Sequence, residues 1–176
     1  MKTKRRLQSG DLLLVERGRY YYCGIYEGDG NVIYAMPEDS KNAVIHRTTF
    51  ENFKGGSYAK VIDINGGINP KKTLERARSL LGEKYCDFAT NNSVHFAVWC
   101  QIGGKREIAV SLTDKKIVIS GLSTGQPITF LSVHGPVIIT PRLHQEYICK
   151  FHDVVEQLKT DTVKNADSEF DKNEGV

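Results

Sequence analysis

An α+β fold is what this sequence predicts: an antiparallel β-meander sheet packed against helices. Three observations carry that reading. Up to about residue 63, short apolar and aromatic runs alternate with turn residues, the pattern of short strands. At Gly66-Gly67-Ile68-Asn69-Pro70 the pattern breaks, and apolar residues then recur at helical spacing. The chain has 176 residues, 40% of them hydrophobic, which suffices for one core and one domain.

Gly10-Asp11 opens the apolar run Leu12-Leu13-Leu14-Val15, which stops at Arg17-Gly18-Arg19 and reads as a buried strand followed by a turn. Tyr20 to Glu27 is rich in aromatic residues and reads as the next strand. Gly28-Asp29-Gly30 supplies the positive φ of a hairpin turn, so Asp29 and Gly30 take no binding role. Asn31 to Met36 returns and Pro37 ends it. Ala43 to Thr48 and Tyr58 to Asp63 follow as strands, with Phe50 to Gly56 between them as a loop or helical turn. Asn69 is placed to cap a helix that has Pro70 at its first position. Leu74, Ala77, Leu80 and Leu81 mark its buried side and Gly82 its end. A second helix starts near Thr90-Asn91-Asn92, buries Phe96, Trp99 and Cys100, and ends at Gly103-Gly104. Further on, Lys116 to Ser120, Ile128 to Val133 and Pro136 to Thr140 read as strands, and His152 to Lys159 as a short helix.

A net charge of +3 is too small to argue for nucleic acid, and no strong basic patch stands out. The charge is uneven. Lys2, Lys4, Arg5 and Arg6 form a basic arm over residues 1–7, and Asp161, Asp167, Glu169, Asp171 and Glu174 make residues 161–176 an acidic tail expected to be disordered. The arm is either a solvated end or a weak peripheral contact with an anionic membrane, at about 1 kcal/mol per cation. The single domain then spans residues 8–160. No apolar run approaches the ~20 residues of a membrane-spanning helix, and the N-terminus lacks the apolar stretch of a secretory signal. Cys23, Cys86, Cys100 and Cys149 show no CxxC pairing and no zinc spacing. They read as reduced thiols of a cytoplasmic protein with neither metal nor cofactor.

Two segments carry a resemblance. In the first, Tyr22-Cys23-Gly24-Ile25-Tyr26-Glu27-Gly28-Asp29-Gly30 leads through Asn31-Val32-Ile33 to Tyr34, with Pro37 shortly after. The second is Asn92-Ser93-Val94-His95-Phe96. Gly10-Asp11 precedes both, and Leu81-Gly82-Glu83-Lys84-Tyr85 lies between them. This order resembles the lecithin:retinol acyltransferase (LRAT)-like family of the NlpC-type, permuted papain-like superfamily, most strongly over residues 10–104. There the first segment reads roughly H-W-A-I-Y-V-G-D-G-x-V-V-H and the second N-C-E-H-F. The resemblance implies a cysteine at a helix N-terminus that attacks a phospholipid ester, a histidine base on a neighbouring strand and a second histidine that orients it. Here those three positions are Ser93, Tyr22 and Tyr34.

Serine needs a base during attack, and a phenol, whose ordinary pKa is about 10, is a poor one. Ser93 therefore reads either as a helix cap or as the nucleophile of an enzyme that has moved to serine chemistry. If Tyr22 faces the site, Cys23 faces away. His95 reads as structural and Cys100 as core. His46, His134, His144 and His152 stay open as replacement bases. Tyr20, Tyr21, Tyr22, Tyr26 and Tyr34 form either cross-strand aromatic contacts or a groove for an acyl chain or peptide. Lys105-Arg106-Glu107 is a solvated end or a contact for a phosphate headgroup. Three functions follow: a non-catalytic binding module for a phospholipid, acyl chain or protein partner; a phospholipid acyltransferase or hydrolase using Ser93; or an interaction protein like picornavirus 2A proteins. The resemblance implies Tyr22 and Tyr34 on adjacent strands, facing the helix end that bears Ser93.

Overall fold

The computed structural model describes residues 3–39, 42–85, 93–103, 109–112, 116–122, 128–132, 135–139 and 142–155. The elements run β1 (Lys4–Arg5), β2 (Leu12–Arg17), β3 (Tyr20–Gly28), β4 (Asn31–Pro37), β5 (Ala43–Thr49), α1 (Phe50–Lys54), β6 (Ala59–Ile64) and α2 (Pro70–Ser79). They continue with β7 (Lys84–Tyr85), α3 (Ser93–Ile102), β8 (Ala109–Leu112), β9 (Lys116–Leu122), β10 (Ile128–Ser132), β11 (Gly135–Ile139) and β12 (Arg142–Val154).

The main sheet is ordered β7-β5-β4-β3-β2-β6-β12-β9-β8, with β1 added parallel to β12. All its other pairs are antiparallel. The expected meander covers β2 to β5. β6 then crosses to the free edge of β2, where Leu13 pairs with Val61 and Leu12 with Ile62. The sheet remains open at β7 and β8. β10 and β11 pair only with each other, as a separate hairpin.

Both faces of the central strands are covered. Leu12, Leu14, Cys23, Ile25, Ile33, Ala35 and Ile45 pack with Ala77 and Leu80 of α2 and with Phe96, Ala97 and Cys100 of α3. Leu13, Val15, Val32, Tyr34 and Val61 pack on the opposite face against Phe53 of α1. This explains why Leu12-Leu13-Leu14-Val15 is apolar throughout: alternate residues of a strand face opposite sides, and here neither side is solvent. Phe53 and Phe96 are each fully buried, contributing about 1.5–3 kcal/mol apiece. Gly24 sits between Val32, Phe53 and Tyr34; a Cβ there would come within 2.7 Å of Val32 Cγ1. With no side chain at Gly24, Phe53 packs close to the strand.

Local signals set the helix ends. Asn69 accepts from Lys72 N at 3.1 Å with Pro70 in the first turn, and Thr49 caps α1 through Asn52 N at 3.2 Å. Arg76 of α2 donates to the C-terminal carbonyls of α3, Cys100 O at 2.9 Å and Gln101 O at 3.3 Å. Those carbonyls lack intrahelical partners, and the cation also suits the helix's negative end. α3 buries Ser93, His95, Phe96, Ala97, Val98, Cys100 and Gln101, whereas Trp99 is half-buried.

Two expectations are overturned. Residues 152–154 belong to a thirteen-residue strand, β12, not to a helix starting at His152. Burial near there alternates with period two: Cys149 is buried between exposed Ile148 and Lys150, and β12 pairs with both β6 and β9. The basic arm is not a free end over Lys4–Arg5. Those residues form β1, and Arg5 holds Asp11 and, at 3.1 Å, Asp63. The acidic residues of 161–176 lie outside the described residues.

Candidate functional site

The site grows from a parting of two strands. Tyr26 donates its N–H to Asp11 O at 2.9 Å and accepts from Gly10 N at 2.8 Å, so its backbone polar groups point toward the β2 side. By alternation, Ile25 and Cys23 direct theirs toward β4. The β3–β4 ladder pairs Ile25 with Ile33 and ends at Gly24 and Tyr34, although both strands run on. Regular continuation would give the Cys23 N–H to Ala35. Instead it goes to Ser93 Oγ at 3.2 Å. The first residue of α3 therefore fills the gap where β4 turns away with β5. Ser93 is 7% exposed, and the hydrogen bond found for its oxygen comes from the neighbouring strand, not from its own helix. That bond joins helix to sheet.

Tyr22 and Tyr34 are on adjacent strands, as expected, but they do not face α3. Val15, which pairs with Tyr22, belongs with Tyr34 to the cluster on the α1 side. Tyr34 meets Phe53 edge-on, with ring centroids 5.1 Å apart. Its phenol is pushed up from the usual value by burial, with Arg17 opposing and Tyr22 reinforcing the rise. The Arg17 guanidinium lies over the Tyr22 ring at 5.2 Å and donates to Asn52 O at 2.9 Å and to Phe53 O. The residue facing α3 is Cys23, the reverse of the parity expected. Nothing in the strand's own sequence decides which parity meets α3; the placement of α2 and α3 on one face and α1 on the other does.

Other candidate nucleophiles are sealed in. Cys23 is fully buried, and desolvation pushes its thiol up to about 12. Burial also raises the Cys100 thiol, against a lowering by Arg76, and raises that of Cys149. None has the electropositive, accessible setting of a reactive thiol. Cys86 and the triplet Lys105-Arg106-Glu107 lie outside the described residues, as does His134.

Neither His46 nor His152 is placed beside Ser93. His46 is exposed on β5, opposite Tyr34 and hence on the face away from α3. His152 Nδ1 meets Thr3 Oγ1 at 2.6 Å, and its Nε2 lies 2.7 Å from Asp63 Oδ2. His144 is on β12, three strands from β3 in the sheet order. His95 is buried within α3. Among the described residues no group of three or more His, Cys, Asp or Glu is placed to hold a metal, and no helix is long and apolar enough to cross a membrane.

Arg17 was not singled out from the sequence, yet it joins the β2–β3 turn to α1. A sequence shows the cation but not the distant carbonyls it reaches.

An open antiparallel sheet, with a helix N-terminus set against the strand that follows its first hairpin turn, defines the class of domain. The family model for lecithin retinol acyltransferase matches residues 5–106, more than half of the chain, and the chain belongs to that family. The match begins at β1 and runs just past α3, slightly beyond the 10–104 span of the motifs. No curated protein matches the chain significantly.

Proposed function

We propose that this chain is a non-catalytic member of the LRAT family that works as a binding module for a lipid or protein partner. The observation that carries the reading is the hydrogen bond from Cys23 N–H to Ser93 Oγ. The oxygen in the nucleophile's position accepts a backbone N–H in a buried joint between helix and sheet. Attack on an ester would also need a base within reach of that hydroxyl. The position where the family has its histidine is Tyr22, whose ring is held beneath Arg17 on the α1 side. The Cys23 thiol, the titratable group on the α3 side of β3 next to it, stays protonated at neutral pH.

The test pairs a fluorophosphonate probe with fatty-acid release from phosphatidylcholine vesicles. The expected result is no label at Ser93 and no release above a heat-denatured control. Labelling and release that both vanish in Ser93→Ala would establish a serine acyltransferase or hydrolase instead.

A further inference from the structure

Four large hydrophobic side chains stand exposed among the described residues: Tyr20 at 71%, Tyr21 at 59%, Tyr58 at 88% and Ile148 at 65%. Three of the four lie together at one end of the sheet. Tyr20 pairs with Arg17 and Tyr21 with Glu16, flanking the turn Gly18-Arg19. Tyr58 immediately precedes Ala59, which pairs with Val15, so it comes in beside Glu16 from the other edge of β2. Arg17 fastens the two segments to each other through the carbonyls of Asn52 and Phe53. The three tyrosines are thus presented together. Their exposed area, spread around the end of the sheet, sums to on the order of 400 Å².

Arg17, Arg19 and Lys60 outnumber the carboxylates Glu16 and Asp153 here: Arg19 is exposed at the turn, and Lys60, 39% exposed, lies 3.9 Å from Glu16 and pairs across the ladder with Asp153. Tyr20 and Tyr21 point to opposite faces of the sheet because they are neighbours on β3. The tyrosines therefore ring the tip of the sheet. They do not line one face, as a base-stacking platform or a peptide groove would require. A blunt tip of amphipathic rings with cations beside them matches an interface that is apolar below and anionic above. Tyrosine settles at the headgroup level of a bilayer, and arginine and lysine are drawn to anionic lipid.

We propose that this end of the sheet, carrying Arg19, Tyr20, Tyr21, Tyr58 and Lys60, docks the domain end-on against an anionic lipid surface. The inference names a partner for the binding module proposed above and does not depend on whether Ser93 reacts.

The test is cosedimentation with vesicles of phosphatidylcholine alone or mixed with phosphatidylserine. The wild-type chain should partition onto the mixed vesicles and leave them as salt rises. Replacing all three tyrosines by alanine should weaken partition about tenfold or more. Arg19→Gln should weaken it about fivefold, the equivalent of ~1 kcal/mol for one cation. Ile148→Ala, on β12 and away from the tip, should bind like wild type. Unchanged melting curves would show that the variants are folded; if the triple variant melts early, Arg19→Gln and the salt dependence decide. Absence of wild-type binding, equal binding by the tyrosine and arginine variants, or binding to single-stranded RNA without binding to vesicles would each overturn the proposal. Fatty-acid release measured on the same bound vesicles separates the two readings: release with binding sinks the non-catalytic one alone, and neither release nor binding sinks this one alone.

Discussion

Replacing Ser93 with alanine deletes the oxygen that accepts the Cys23 N–H at 3.2 Å. The strand's own alternative acceptor is out of register, because the β3–β4 ladder has ended at Gly24 and Tyr34. The donor is left buried and unpaired, which costs about 1–3 kcal/mol. Alanine is a better helix former than serine, which returns about 0.5 kcal/mol at most. The loss dominates, so a net destabilisation of ~0.5–2.5 kcal/mol is expected, or a fall in Tm of about 1–10 °C for a domain this size. Urea unfolding followed by circular dichroism measures the first quantity. Amide hydrogen exchange at Cys23 localises it, since the amide should exchange faster in the variant while that of Ile25, paired with Ile33, is unchanged. Ser93→Cys, with a weaker acceptor, should fall between. A Ser93→Ala protein within about 0.5 kcal/mol of wild type and with unaltered protection at Cys23 would refute the reasoning and return Ser93 to the candidate nucleophiles.

The same geometry makes the outcome of restoring the family's residues predictable. In Ser93→Cys/Tyr22→His the imidazole should sit on the α1 side with Arg17, so the thiol at position 93 should titrate in iodoacetamide kinetics as it does in Ser93→Cys alone; a clear downward shift of its pKa would show that strand and helix end meet differently. Gly24→Ala should cost about 1–3 kcal/mol by overpacking, because its Cβ would lie 2.7 Å from Val32 Cγ1 and 3.1 Å from Phe53 Cε2, and a denaturation midpoint equal to wild type would contradict that packing. Stability should fall as pH rises above about 9: the Cys23 thiol is raised from 9.0 to about 12 in the folded chain, so between those values the unfolded chain holds fewer protons than the folded one. The decline, up to ~1.4 kcal/mol per pH unit from this thiol, should be shallower in Cys23→Ala, and an identical slope would show that Cys23 is not its source.

The elements from β2 to α2 are legible because each rests on local chemistry. Gly28-Asp29-Gly30 takes φ values of 116°, 50° and 76°, which few sequences other than a Gly-rich turn tolerate. Asn69-Pro70 starts a helix wherever it falls, since the cap and the fixed φ act within one turn. β1 and β7, of two residues each, carry too little pattern to be read. β12 is not legible at His152 because its mixture of polar and apolar residues makes sense only beside β6 and β9, which lie far away along the chain.

By itself, then, the sequence determined the order of the strands from β2 to β6, the position of the helix that begins at Ser93, and the loss of the family's cysteine and histidines at Ser93, Tyr22 and Tyr34. Turn chemistry, capping and residue identity are local quantities, written within a few positions of one another. Only the tertiary structure decided that Cys23, not Tyr22, faces α3, that Ser93 binds the strand backbone, and that β6 returns beside β2. It also brought Tyr58 alongside Tyr20 and Tyr21. A strand's two faces are equivalent until something covers one of them, and a sheet edge is open until a distant strand pairs with it. Both choices are made by contacts between residues far apart in the chain, where packing of the whole core sets the parity.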